Sequence, residues 1–379
     1  MNLNSTLKTP KPRLLSLDVF RGITVAMMTL VNNPGDWKHI YPPLEHSEWN
    51  GCTPTDLVFP FFLFIMGVSI TYALESKKAD LAQRNKLVFG IFKRAIILFL
   101  VGVAINLFYK FDFGTLRIPG VIQRIAVVYL LVSLLYIYSS RKTWLLFFWL
   151  ILIGYYLIMT FIPVPGVGYA NLNPETNLGA WLDRTLLTEA HLWKSSKTWD
   201  PEGILSTVPA IATGIFGVLI GTFLKQKDKD DAQKVAWLFT IGLLAVIAGL
   251  IFDLFFPINK ALWTSSFVLY TGGLATLGLT LCYWLIDVQG YKRFTLPFVV
   301  FGVNAITVYF LSGLIPHILT MITFKTDHDS TNLFTYLYHT FFTPFFSPIN
   351  ASLAGGLTYV FIWMVILWLM YRKNIIIKV

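Results

Sequence analysis

Charge is scarce in this chain, and so is cysteine. Only 13% of its 379 residues are Asp, Glu, Lys or Arg, about half the share of an ordinary soluble domain. That excludes a conventional water-facing globule. Two cysteines, Cys52 and Cys282, are too few and too unpatterned for a disulfide framework or a thiolate metal site, and both are read as structural. A secretory leader is missing as well. The opening MNLNSTLKTPKPR is short and polar, and the apolar run behind it carries Asp18 and Arg21 where a leader would end at a small-residue cleavage site. It is therefore read as a retained first span. No internal repeat is visible, nor any broken helix, so the architecture of many secondary transporters finds no support.

What the chain has instead is apolar length. Hydrophobic residues make up 55%, with 12 Trp, 17 Tyr and 32 Phe, a composition suited to tightly packed bundles and to the two headgroup boundaries. Ten spans emerge, roughly 14–32, 55–74, 94–110, 119–138, 144–162, 204–224, 235–254, 263–285, 296–315 and 351–371. These are long continuous runs, unlike the short alternating strands of a barrel. The expectation is an all-α integral membrane protein, a polytopic bundle of about ten transmembrane helices. A tail at 1–13 precedes a membrane domain at 14–375, whose longest loop is 163–203. Lys and Arg number 20 in the loop set that includes both termini and 8 in the alternate set, which places both termini in the cytoplasm. The net charge of +10 is then a topology signal that calls for no nucleic-acid partner.

Polar residues inside or against hydrocarbon need a partner, a wet cavity or a task. Asp18 and Arg21 share a helix face, as a self-neutralising pair or as part of a polar site. Asn32 ends the same span. Gln123 and Arg124 lie just inside the span after Pro119, where the arginine either snorkels or meets an anion. Asn304, in FGVNAITVYF, reads as interhelical glue or as a ligand. The richest stretch is LEHSEWNGCTPTDLVFP at 44–60. There His46 keeps company with Glu45, Glu48, Trp49 and Asn50, while Thr53, Thr55 and Asp56 read as N-capping residues of the next span. An imidazole beside carboxylates is a candidate general base near neutral pH. The spacing matches no metal signature.

Taken in order, SLDVFRGITVAMMTLVNN, HSEWNGCTPTDLVFPFFLFIMGVSI, RIPGVIQRIAVVYLL, DPEGILSTVPAIATGIFGVLIG, NKALWTSSFVL and PFVVFGVNAITVYF resemble the successive motifs of the heparan-alpha-glucosaminide N-acetyltransferase family, multi-pass membrane enzymes. The likeness runs from about residue 14 to about 375, and the chain looks like a bare bacterial membrane core without the luminal region of the eukaryotic member. The resemblance implies transfer of acetyl from cytosolic acetyl-CoA to an amine of an aminosugar or glycan beyond the bilayer. It implies catalytic roles for His46 and Asn32, a bacterial cytoplasmic-membrane location and a homodimer. On that reading Asp56, Glu45, Trp49, Asn50 and Trp263 are candidates to orient the histidine or grip the sugar. Asp18 serves as a weaker candidate, and Asp200 and Glu202 stand in reserve. Arg124, Gln123, Arg21 and Asn304, with Lys93 and Arg94, are candidates for the coenzyme A side. The rivals are a secondary transporter or flippase, with Asp18, Arg21 and Arg124 on its pathway, and an acyltransferase acting on a hydroxyl of a cell-envelope polymer.

Overall fold

The computed structural model describes residues 14–78, 83–109, 111–325 and 330–377; the expected tail at 1–13 lies outside the described residues. The protein is nearly all helix. Its helices are α1 (Leu15–Val31), α2 (Val58–Lys78), α3 (Arg84–Tyr109), α4 (Val121–Tyr138), α5 (Arg141–Phe161), α6 (Leu178–Leu187), α7 (Ile204–Leu224), α8 (Asp231–Asp253) and α9 (Ser265–Cys282). α9 continues as a π-helical turn over Tyr283–Val288. Beyond it come α10 (Leu296–Val303), α11 (Ala305–Met321), α12 (Leu333–Phe341) and α13 (Pro348–Arg372). A small antiparallel hairpin, β1 (Thr323–Lys325) with β2 (Ser330–Asn332), is the only sheet among the described residues.

Among the described residues, eight helices are long and apolar enough to cross a membrane, and α10 with α11 forms a ninth, bent span. The remaining expected span is α1, whose 17 residues reach about 26 Å at 1.5 Å per residue. It packs against α2, α9, α10, α11 and α13. Small residues let the inner helices approach. At Gly22 a Cβ would collide with the Phe298 carbonyl, at Gly302 with that of Asp18, and at Gly67 with that of Gly214. Backbone contact of this kind is how helices gain dispersion energy where lipid removes the hydrophobic drive.

The span expected to be continuous over 296–315 is broken. α10 and α11 meet at an angle of 82°, with Asn304 between them at φ −115°, ψ 33°. Asn304 is 1% exposed, and its amide is committed to the C-terminal backbone. Nδ2 donates to the Ile375 carbonyl at 3.3 Å, and Oδ1 accepts from the Ile377 N–H at 3.0 Å. Both halves of the span are apolar, so hydropathy does not register the break.

Loops gather at two ends. One end joins the loop before α2 to the connectors 111–120, 162–203 and 254–264, through Gly51 N–H to Ile258 O at 2.7 Å, Trp49 Nε1–H to Leu172 O at 3.0 Å, and Ile118 N–H to His191 O at 3.0 Å. At the other end Ser16 N–H donates to Asp287 Oδ2 at 3.1 Å and Tyr283 O–H to Asp231 Oδ1 at 2.7 Å. The long loop 163–203 carries structure of its own, α6 and a 3₁₀ turn at Glu189–His191, and forms a cap over the first end.

Candidate active site

His46 stands in the loop that leads into α2, with its side chain about half exposed (53%) over a buried carboxylate (0%). Asp56 supplies that carboxylate from the 3₁₀ turn Pro54–Leu57, with Thr53 as N-cap. Its Oδ2 accepts the Ser47 N–H at 3.1 Å and the Thr53 N–H at 3.0 Å. Its Oδ1 lies 2.7 Å from His46 Nδ1. An ionised carboxylate only accepts, so the arrangement assigns the ring proton to Nδ1 and makes Nε2 the acceptor of the ring. The capping function read in the sequence is thus the same interaction that orients the imidazole.

Lys260 completes the group. Its ammonium nitrogen lies 3.0 Å from His46 Nδ1, 3.3 Å from Nε2 and 3.5 Å from Asp56 Oδ1. The turn between α8 and α9 holds it there. Buried Asn259 receives the Leu262 N–H at 2.8 Å and ties to Asn50 Oδ1 at 3.2 Å, so Asn50 locks the two loops together. Burial pulls the Lys260 ammonium below the usual lysine range, although Asp56 and Glu202 oppose the shift. Burial, aided by Asp56, pushes the Cys52 thiol up to about 12, which removes it as a thiolate nucleophile at neutral pH.

A cavity of about 820 Å³ runs inward from this cluster, a size that houses a cofactor-scale ligand. At the capped end it is lined by His46, Glu48, Trp49, Asp56, Trp193, Trp199, Glu202, Arg117 and Lys260, and deeper by Asn32, Phe62, Ile122 and Tyr309. At the opposite end it is lined by Arg21, Ser69, Arg94, Gly302 and Ile377. Arg21 and Asn32, eleven residues apart on one helix, are about 16 Å apart along its axis. Arg21 is held by Asp18 at 3.0 Å and by the Ser69 hydroxyl at 2.8 Å. Arg94 also lines a neighbouring pocket with Lys77 and Lys86. A further cavity of about 800 Å³ lies against the first and shares Met28, Asn32 and Tyr309 with it. Asn32 is exposed to both, and its amide has no hydrogen-bond partner among the described residues.

The structure therefore lines one cavity with His46, Asp56, Asn32 and Trp49, and with Arg21 at its opposite end, and sets other candidates apart. Glu45 lends only its carbonyl, to the Thr53 hydroxyl at 2.6 Å. Asp18 stands behind Arg21. Trp263 is 1% exposed, its indole N–H on Thr213 at 3.0 Å, so its faces are closed to a sugar. Arg124 is 2% exposed and away from the cavity lining; it donates to Gly203 O at 3.2 Å and Ser206 Oγ at 2.5 Å and lies over the Trp263 ring. Gln123 is buried beside it, and Asn304 is spent on the chain terminus. Sequence reasoning passed over Lys260 and Arg117. Arg117 grips Asp200 and Glu202, each at 2.6 Å, and Glu202 is held below the usual carboxylate range because Arg117, Arg124 and Lys260 outweigh the effect of its burial. The available signal was that Lys260 is the sole basic residue of its connector, 255–262.

The model for the heparan-alpha-glucosaminide N-acetyltransferase catalytic region matches residues 13–250. Among curated proteins, the heparan-alpha-glucosaminide N-acetyltransferase of Homo sapiens is 34% identical over 352 residues, 79% of this chain and 52% of that protein. Its counterpart in Mus musculus is 33% identical over 358 residues, 80% of this chain and 54% of that protein. The chain spans about half the length of the curated relatives it matches.

Proposed function

Because this chain belongs to the heparan-alpha-glucosaminide N-acetyltransferase family, we propose that it is a multi-pass membrane acetyltransferase. Acetyl-CoA enters from the cytoplasm, and the acceptor is an amine of an aminosugar or glycan on the outer side of a bacterial cytoplasmic membrane. The observation that carries this reading is the single cavity lined by Arg21 and Arg94 at one end and by His46, Asn32 and Lys260 at the other. Coenzyme A needs cations for its phosphates and an enclosed apolar channel for its arm. Arg94 and Arg21 offer cations in that cavity, and Lys77 and Lys86 stand with Arg94 around the neighbouring pocket.

At the far end His46, oriented by Asp56, takes the proton of the attacking amine or accepts the acetyl itself. Asn32 presents an uncommitted amide to the oxyanion that forms on the thioester carbon. The three indoles Trp49, Trp193 and Trp199, stacked edge to face, form a wall against which a sugar ring packs. A homodimer is part of the same proposal, tested by the mass of the detergent-solubilised protein.

The broken span favours one other reading, a carrier that moves coenzyme A or a sugar without chemistry. Purified protein supplied with acetyl-labelled acetyl-CoA and glucosamine separates the two. Labelled N-acetyl product that falls at least 100-fold in His46→Ala is the expected result. Transport into vesicles without product would support the carrier, and labelled ester in place of amide would assign a hydroxyl acceptor.

A further inference from the structure

Breaking a thioester expels a sulfur anion, and in the cavity that runs inward from the half-exposed His46 that charge forms between largely apolar walls. A thiolate released among buried groups needs a proton or a fixed positive charge. His46 is already engaged with the amine proton or with the acetyl. Lys260 is the other group at hand. Its side chain is 19% exposed, lines the same cavity as His46 and Asn32, and sets its ammonium 3.0 and 3.3 Å from the two imidazole nitrogens, of which Nε2 is the acceptor.

We propose that Lys260 is a catalytic residue that protonates the departing thiolate of the acyl donor and recovers its proton from His46. The proposal rests on the acetyltransferase reading. In direct transfer the amine lone pair forms the new N–C bond and the C–S bond breaks, its electron pair leaving with sulfur. Lys260 gives one N–H proton to that sulfur, and the amine proton passes to His46 Nε2. The imidazolium then faces a neutral lysine amine at 3.0–3.3 Å and returns the proton, so the site ends as it began. If His46 carries the acetyl instead, Lys260 protonates sulfur in the first half-reaction. Its neutral amine then accepts the proton of the attacking nitrogen in the second. Either route ends with amide and thiol, and both need the same lysine proton.

The surroundings suit this role. Asp56, Glu202, His46 and Cys52 face the ammonium, and burial holds it below the usual lysine range, nearer to the acidity of a thiol, where proton transfer between the two is most effective. Asp56 Oδ1 at 3.5 Å keeps the cation in place without a tight ion pair that would prevent release.

The test varies both the acid and the leaving group. Wild type, Lys260→Met and Lys260→Arg are assayed with acetyl-CoA and with the acetyl thioester of a nitrothiophenol, whose thiolate leaves without a proton. With acetyl-CoA, Lys260→Met is expected to lose on the order of 10²- to 10⁴-fold. Lys260→Arg should lose as much, because a guanidinium keeps the charge but does not release its proton. With the aryl thioester both deficits should shrink below about tenfold. Equal losses with the two donors would reduce Lys260 to a binding or packing role and overturn the proposal, as would full rescue by arginine or an unimpaired Lys260→Met. A wild type inert toward both donors would overturn the acetyltransferase reading and the lysine's role with it.

Discussion

Arg124 is the residue whose meaning changed most between sequence and structure. An arginine inside an apolar span invites an anionic ligand, and coenzyme A supplies phosphates. In the folded chain its guanidinium is instead closed in by the start of α7 and the Trp263 ring. Hydrogen bonds to charged donors and a desolvated cation–π contact each contribute on the order of 1–3 kcal/mol. Arg124→Met is therefore expected to lower the melting temperature in detergent by several degrees while leaving coenzyme A affinity unchanged. A weakened affinity at unaltered stability would return Arg124 to the nucleotide site. His46 shows the opposite case. Among Asp56, Glu45 and Asp18, the carboxylates the sequence offered, the structure selects Asp56, ten residues downstream, because a residue that begins a helix points its side chain back toward the preceding loop. Lys260 lies 214 residues from His46, and nothing local encodes that meeting.

Among the elements, the junction of α6 with α7 carries a titration. Asp183 on α6 is 3% exposed and accepts the Ile204 N–H at 2.8 Å. Burial first, and Asp200 second, push its carboxyl up to about 7. The folded protein thus binds more protons here than the unfolded chain between about pH 4 and 7. Stability falls as pH rises through that window and is level above it, by at most about 4 kcal/mol at roughly 1.4 kcal/mol per unit. Melting curves of wild type and Asp183→Asn should agree at or below about pH 4, separate through about pH 5–7 and differ most by about pH 8, with the wild type lower; a pH-independent gap would rule this titration out. The other informative element is the α10–α11 span, whose break at Asn304 no hydropathy window registers. Its place is set by two glycine contacts between α1 and α10 and by an amide turned toward the chain terminus.

At the scale of the whole molecule the central object is a passage between two ends of different character. One end offers Arg21 and Arg94; the other offers the histidine cluster under the cap formed by 163–203. The proposed activity is therefore vectorial. In sealed vesicles of uniform orientation, with glucosamine enclosed on the His46 side, acetyl-CoA supplied to the Arg94 side should yield enclosed N-acetylglucosamine. Loss of that product in His46→Ala would tie it to the site. Product forming only when donor and acceptor share one face would sink the idea that the cavity crosses the bilayer.

By itself the sequence determined the class of the molecule, nearly all its spans and the capping position of Asp56. Those features are local: a bilayer demands continuous apolar length, loop charge alternates with topology, and a capping residue acts within one turn. Tertiary structure alone decided that Arg124 and Trp263 are buried in the interior, that Lys260 and Arg117 line the same cavity as His46, and that this cavity links Arg21 to His46. Each of these depends on which helices lie side by side. That choice is made by close backbone contacts at glycines such as Gly22, Gly67 and Gly302, whose partners are distant in the chain.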